Sequence, residues 1–464
     1  MSLTLHVSSH PALADGVHRV LQRASPAVLR AWWILLVIGC GASGAGADGA
    51  NDSADGGTDI GESDGAVDAA DVVDATDVVD AAEEVEHADP CPALVDDFAA
   101  VELAHGYNDS ARPAPGAAGW VVPLLDVASA DAALCVMPVS RDAPAAGPMT
   151  TAAGGARGAL GWQSPALVWT GEESVGLFQS ADFGHPVAQV VRLSGVEAIP
   201  TGDPVALDDT GFPTGSAVGV WSDGSLAVAY AAWTDGTERA ELRFRRFDRN
   251  LTPLSSPRTT IADAALTFAP RDLAFSSEGG VLLWTEWPVS GATFELAWVP
   301  IAPDGTGRGE PQSAGCGAAR PGCGSVAWTG REYFVLYCCI DDGTGMVDSW
   351  VQRLAADGST IEPAAALAPG RTLGFPIWDG NALVVVTTET FPDLHARLAL
   401  QRYHPDTGDL DAPLWEHEGP HVLQRGMAFA DERLFLLWTD GTVGSWSVMA
   451  RGWRCAPAKK EETP

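Results

Sequence analysis

The sequence predicts an all-β fold, a β-propeller of seven blades of about 52 residues each. Three observations carry this: a motif recurring at that period, short apolar runs bounded by Gly, Asp and Pro, and too much Gly and Pro for long helices. The chain has 464 residues, with 51 Gly, 32 Pro and 17 Trp, and 46% of it is hydrophobic, enough to fill a large core. Its 27 Lys and Arg against 61 Asp and Glu give a net charge of −34, which repels phosphate backbones and anionic lipid surfaces. Nucleic acid is thereby excluded as a partner, and membrane contact is expected only through an anchor.

The charge is uneven: +2 over residues 1–40, −15 over 41–90 and −21 over 91–464. Residues 1–30 carry Arg19, Arg23 and Arg30, and the apolar run Ala31 to Gly39 is much shorter than the roughly 20 residues of a membrane-spanning helix. That is the pattern of a secretory signal. The run ends in Val37-Ile38-Gly39-Cys40. Residues 41–90 then turn to Asp, Ala, Gly and Val with no Lys or Arg, too little apolar mass to offset ordering entropy, so a disordered, self-repelling tether is expected. Its Asp71-Val-Val-Asp74 and Asp77-Val-Val-Asp80 stretches do not follow the calcium-loop pattern.

The recurring unit begins with an aromatic anchor, then a turn and an apolar strand. The anchors are Trp169, Trp221, Phe275, Trp328, Trp378 and Phe429, spaced 52, 54, 53, 50 and 51 residues apart. Apolar runs follow at Leu226 to Tyr230, Val281 to Trp284, Tyr333 to Tyr337, Leu383 to Thr387 and Leu434 to Trp438. A degenerate seventh copy is read at Gly119 to Asp126 and Leu134 to Val139, with its anchor near residue 113 or 114. Dividing residues 91–464 by seven gives about 53 per blade, against about 62 for six. The anchors are assigned to packing between blades rather than to ligand stacking.

Two resemblances add to this reading. Val37 to Cys40 resembles the bacterial lipobox, which implies cleavage before Cys40, lipidation of that cysteine, and a chain divided into a 1–39 lipoprotein signal peptide, a 40–90 tether and a 91–464 propeller anchored at the cell envelope. The competing expectation is an ordinary signal peptide cut near Ala45-Gly46-Ala47. Trp328-Thr-Gly-Arg-Glu-Tyr333-Phe-Val-Leu-Tyr337, followed by Arg353-Leu-Ala-Ala-Asp357-Gly358, resembles the repeat of secreted and lipid-anchored bacterial propellers, a group that supplies no catalytic motif. The Trp-Asp pair of WD40 repeats and the Gly-Gly pair of kelch repeats are not regular here, which leaves those families as the runners-up. Ser276 to Trp284 has Glu where the sialidase Asp-box needs Asp.

A propeller must join its first and last blades. The last copy ends after the strand at Ser445 to Arg451, and Ala93 to Ala104 is placed to supply its outer strand. Cys91 and Cys455 flank these segments, so a disulfide between them would staple the ring, with Cys91–Cys135 as the competing pair. Cys316, Cys323, Cys338 and Cys339 are expected to gather at one end of a blade as two disulfides rather than a zinc site.

No cofactor, metal site or catalytic constellation is read from the sequence. His417-Glu-Gly-Pro-His421 matches the zincin string on paper, but that chemistry needs both histidines on one helical face, and Gly419-Pro420 breaks the helix. A ligand surface is expected on the rim formed by the loops after each apolar strand, where Trp233, Trp287, Asp341, Asp342, Glu389 and His395 lie. Aromatic faces beside carboxylates suit a glycan or peptide. The expected function is non-catalytic binding of an envelope protein or glycan. The alternatives are a propeller hydrolase or lyase acting on polysaccharide, using Asp341, Asp342, Glu389 and His395, and a purely structural surface protein.

Overall fold

In the computed structural model each recurrence of the motif is one antiparallel sheet, and seven such sheets form the ring. The structure describes residues 91–105, 112–126, 133–141, 145–153, 166–180, 187–210, 214–233, 240–263, 266–288, 295–316, 319–341, 343–344, 346–391, 395–442 and 445–456. Cys40, the tether and Asp342 lie outside them.

Blade 1 comprises Ala114–Gly116, Gly119–Asp126, Ala133–Ser140 and Thr150–Ala153, and blade 2 Ala166–Trp169, Ser174–Ser180, Val187–Ser194 and Ile199–Ala206. Blade 3 comprises Thr214–Ser222, Ser225–Trp233, Ala240–Phe247 and Arg258–Ile261, and blade 4 Leu266–Ser276, Gly279–Pro288, Glu295–Ile301 and Gln312–Ser313. Blade 5 comprises Arg320–Trp328, Glu332–Ile340, Val347–Ala355 and Thr360–Pro369. In blade 6 the first strand is broken into Thr372–Leu373 and Ile377–Trp378; Leu383–Thr390 and His395–His404 follow, then Asp409–Leu410 and Trp415–Pro420 along the same edge. Blade 7 takes Leu423–Ala430, Arg433–Thr442 and Ser445–Cys455, and its fourth strand is Leu94–His105 from the start of the domain.

The first strands form the inner wall. Each touches the first strand of the next blade, and the series closes from blade 7 to blade 1. Packing follows the same cycle, with seven hydrophobic clusters, one per blade interface. The second strands explain why their sequence shows no alternation. Leu434, Leu436 and Trp438 face blade 6 while Phe435 and Leu437 face blade 1, so both faces are buried and both must be apolar. Trp221, Phe275, Trp328, Trp378 and Phe429 all pack in or against these interblade clusters, as expected of the anchors.

The register is uniform. Across the turn between first and second strands, each anchor pairs with the residue five positions on, as Trp169 with Ser174, Trp328 with Tyr333 and Phe429 with Leu434. In blade 1 the residue in that register is Pro115, opposite Trp120, so the anchor lies slightly later than expected and is not aromatic; Trp120 fills the interface from the second strand. The turn itself demands special backbone. Gly171, Gly330 and Gly380 sit at φ of 93°, 91° and 91°, and blade 7 makes the turn with Asp431 and Glu432 at 48° and 60°. The residue after the anchor caps it: Thr170, Thr329 and Asp379 each accept the backbone N–H three residues on.

An arginine on the third strand then locks the turn. Arg192 binds Glu173 at 2.7 and 3.0 Å, Arg353 binds Glu332 through two bonds of 3.0 Å, and Arg402 lies 2.7 Å from Asp379. Arg246, in the same register, donates to the Ser225 hydroxyl and the Ser222 carbonyl. The planar guanidinium fork suits this two-point contact. The arginine of the sequence repeat is therefore a turn clamp.

Ring closure takes the expected form. Leu94–His105 pairs antiparallel with the strand ending at Cys455, and the Cys91–Cys455 disulfide joins their ends with 5.3 Å between the α-carbons. Arg402 donates to the carbonyls of Cys91 and Pro92, and the Cys91 N–H reaches the Asp379 carbonyl, so the entry of the domain is bonded to blade 6 as well. Cys316–Cys339 and Cys323–Cys338 form two adjacent cross-links at one end of blade 5, and Cys135 is buried outside these pairs. Replacing Cys91 and Cys455 together with Ser is expected to cost about 2–4 kcal/mol, read from the denaturant midpoint, with protease cutting first near residues 94–105. An unchanged midpoint would show that the hydrogen-bonded strand alone closes the ring.

Candidate functional site

Where one second strand ends, the next first strand begins on the same side of the ring, and this rim collects the loops expected to bind. The first strands are bulged near it. Register shifts occur between Thr214 and Ala217, Pro270 and Asp272, Pro321 and Gly324, and Gln424 and Gly426, and blade 6 is interrupted between Leu373 and Ile377. A bulge at this point bends the strand and re-aims its side chains beside the channel.

The expected rim residues divide. Glu389 and His395 lie at the ends of consecutive strands of blade 6. Glu389 is held at 2.7 Å by Arg397 across the strand pair and at 3.4 Å by Arg371, while His395 lies 4.0 Å from Glu418. Asp341 is on the neighbouring blade and closes its own turn, accepting the N–H groups of Gly343 and Thr344, which holds its carboxyl below the usual range. Trp233 is half-buried with its indole against Gly215, where an added Cβ would sit 2.4 Å from the ring. It is a packing residue of blade 3. Trp287 pairs in register with Thr267, and its side chain lies outside the described residues.

Two clusters were not foreseen. At the edge of blades 6 and 7, the His417 Nε2–H donates to the Asp440 carboxylate at 2.7 Å, and the ring stacks on Trp415 with ring centroids 5.8 Å apart. The string around it is a strand, Trp415–Pro420, so the zincin geometry is absent; His421 follows in the link at φ 59° with Trp446 6.2 Å away. Among the described residues no group of three or more His, Cys, Asp or Glu is arranged to hold a metal. A repeat comparison explains the pairing. In blade 4 the Trp284 indole donates to Glu286 at 2.7 Å, whereas in blade 7 Trp438 is followed by the shorter Asp440; the indole nitrogen is left without a partner and the carboxylate engages His417.

The second cluster is the channel mouth. Asp272, buried at the bulge of blade 4, accepts the N–H groups of Val326 at 2.9 Å and Leu273 at 3.0 Å, and Arg112 approaches to 3.8 Å from the link into blade 1. Burial pushes the Asp272 carboxyl up, against Arg112 and these N–H donors. The signal in the sequence was an arginine four residues before the anchor in two copies, Arg271 and Arg425, and three before Pro115 in a third, Arg112. It gains meaning only once the first strands are known to line the axis.

No protein-family model matches the sequence, and no curated protein matches it. Similar solved structures include the phage phi92 endosialidase, at a TM-score of 0.48 and 6% identity over 80% of this chain and 71% of that one. A protein of unknown function from Dyadobacter fermentans DSM 18053 aligns at 0.44 and 12% identity over 63% of this chain and 94% of its own. Trypanosoma rangeli sialidase aligns at 0.38 and 10% identity over 75% and 55%. No residue role is carried over from them.

Glu286 gives a testable electrostatic signature. Burial pushes its carboxyl up, and the nearby charges of Glu295 and Asp263 add to the rise against the Trp284 hydrogen bond. The folded state therefore holds this proton more tightly than the unfolded chain, and the cost of ionising it appears as pH climbs through the carboxylate range. Glu286→Gln keeps an oxygen for the indole and is expected to be more stable than the parent at neutral pH, the two converging below about pH 4. Denaturant titrations at both pH values test this; a less stable variant at neutral pH would contradict it.

Proposed function

We propose that the chain is an exported, lipid-anchored binding propeller that engages an envelope protein or glycan through its rim. The observation supporting binding over catalysis is that four carboxylates at or beside the rim are already committed: Asp341 to its turn, Glu389 to Arg371 and Arg397, Asp440 to His417, and Asp272 to two backbone N–H groups. A catalytic acid–base pair needs carboxyl groups left to exchange protons with a substrate. Three disulfides fit an oxidising compartment.

The anchor and the binding surface are tested separately. Cys40→Ser is expected to abolish incorporation of an alkyne-labelled fatty acid and to move the protein out of the membrane fraction; retained labelling would sink the anchor. For the rim, saturable binding of an envelope component to the full-length protein, lost in a His395→Ala, Trp446→Ala double variant of unchanged melting temperature, is the expected result. Saturable binding unaffected by these changes would move the surface elsewhere.

The hydrolytic reading has one observation in its favour. Glu286, held toward its protonated form beside Glu295 and Asp263, resembles the divided carboxyl pairs of acid–base catalysts. Polysaccharide cleavage lost in Glu286→Gln would establish it, whereas loss only on replacing Asp341, Asp342, Glu389 and His395 together by Ala would assign the chemistry to blades 5 and 6.

A further inference from the structure

Ring closure makes the first strand of the domain in sequence one of the last to be placed. Leu94–His105 pairs with Ser445–Cys455, so the strand that follows Cys91 has no sheet to join until the end of the chain exists. Cys91 and Cys455 are separated by 364 residues, and five other cysteines lie between them. The nearest to Cys91 is Cys135, 44 residues on. Cys316–Cys339 and Cys323–Cys338 are local by comparison, the second nested inside the 23-residue span of the first.

The folded ring keeps Cys91 and Cys135 apart. Cys91 lies in the cluster between blades 6 and 7 with Leu434, Leu436 and Trp438, whereas Cys135 lies in the cluster between blades 7 and 1 with Phe435, Leu437 and Leu103. Blade 7 stands between them, and a disulfide needs α-carbons within about 7 Å of each other. In the unfolded chain the preference is reversed. Closing a loop of 44 residues rather than 364 is favoured about twentyfold by chain entropy alone. A chain emerging from its N-terminus at about 5–20 residues per second also presents Cys135 on the order of tens of seconds before Cys455. That interval is long enough for a disulfide to form.

We propose that the chain reaches its native cysteine pairing through a non-native Cys91–Cys135 bond, and that a thiol–disulfide isomerase is its partner during maturation. The first bond forms when the two thiols pass two electrons and two protons to a disulfide oxidant, which becomes a dithiol. With the two local bonds made as well, Cys455 is the remaining thiol of the seven cysteines in 91–464. A thiolate of the isomerase attacks the Cys91 sulfur and Cys135 leaves as the thiolate. The Cys455 thiolate then attacks the same sulfur and expels the isomerase, and Cys135 takes up the proton that Cys455 gave up. One S–S bond breaks for each one formed, so the exchange needs no further oxidant. The inference rests on the exported reading for its oxidising compartment.

Oxidative refolding of the full-length Cys40→Ser protein tests this, since the leader thiol is gone and the result does not depend on the anchor. The reduced, denatured chain is diluted into oxidised glutathione, alkylated at intervals and mapped as non-reduced peptides. The Cys91–Cys135 peptide is expected to exceed Cys91–Cys455 about tenfold at early times. A catalytic amount of a disulfide isomerase with reduced glutathione should convert the first into the second. Cys135→Ala and Cys135→Ser in the same background should each raise the isomerase-free yield of Cys91–Cys455 by at least about fivefold. Absence of the Cys91–Cys135 peptide at every time, a Cys91–Cys455 bond formed as fast in the parent as in these variants, or a Cys91–Cys135 bond that the isomerase leaves unchanged overturns the inference alone. Recovery of the chain from cells with its leader uncut and its cysteines reduced would overturn the exported reading, and the isomerase as partner with it.

Discussion

Every blade buries both of its faces, and from that constraint the rest of the structure follows. A sheet apolar on both sides cannot stand at the end of a row, so the row must close on itself. Closure is what the segment before blade 1 accomplishes: Leu94–His105 completes blade 7, and Leu103 joins the cluster between blades 7 and 1. The same demand makes the interfaces interdependent. Phe435 faces blade 1 while its neighbours Leu434 and Leu436 face blade 6, so a change in one second strand is felt at two interfaces.

Once the ring is closed, the two ends of each blade serve different purposes. At the end where first and second strands turn, the sequence is repetitive: a cap, a residue of positive φ, and an arginine that clamps the turn. At the rim it is irregular, with bulges of differing length, a broken first strand in blade 6 and the double cross-link in blade 5. Regularity marks what holds the blades, and variation marks what they present. The mouth of the channel is where seven variable strand starts meet, which is why single residues there, Arg112 above all, contact several blades at once.

The fold was legible because its signals are local. Each anchor and the turn after it lie within a few residues, the period repeats them, and the apolar second strands stand out by lacking alternation. Blade 1 was legible only through its second and third strands, since Pro115 holds the anchor register without an aromatic to announce it. The site was harder to read because it is assembled from strand starts far apart in the chain. Asp272 and Arg112 are brought together only by the curvature of the ring, and nothing near either residue announces the other. Asp341 and Trp233 have the composition of ligand residues, yet one closes its turn and the other packs on Gly215, a distinction made by backbone geometry.

The position of the Cys91–Cys455 bond determines how the domain bears a mechanical load. Tension arriving along the chain at Cys91 passes through the disulfide to Cys455 and into the third strand of blade 7. The hydrogen bonds between Leu94–His105 and its partner are bypassed, so they are not peeled one at a time from the end. Arg402 and Asp379 share the load with blade 6 through their bonds to Cys91 and Pro92. Held in this way, the ring is a covalently closed hoop, and a pull on Cys91 falls on the hydrogen bonds of the closing strand only where the disulfide has been reduced.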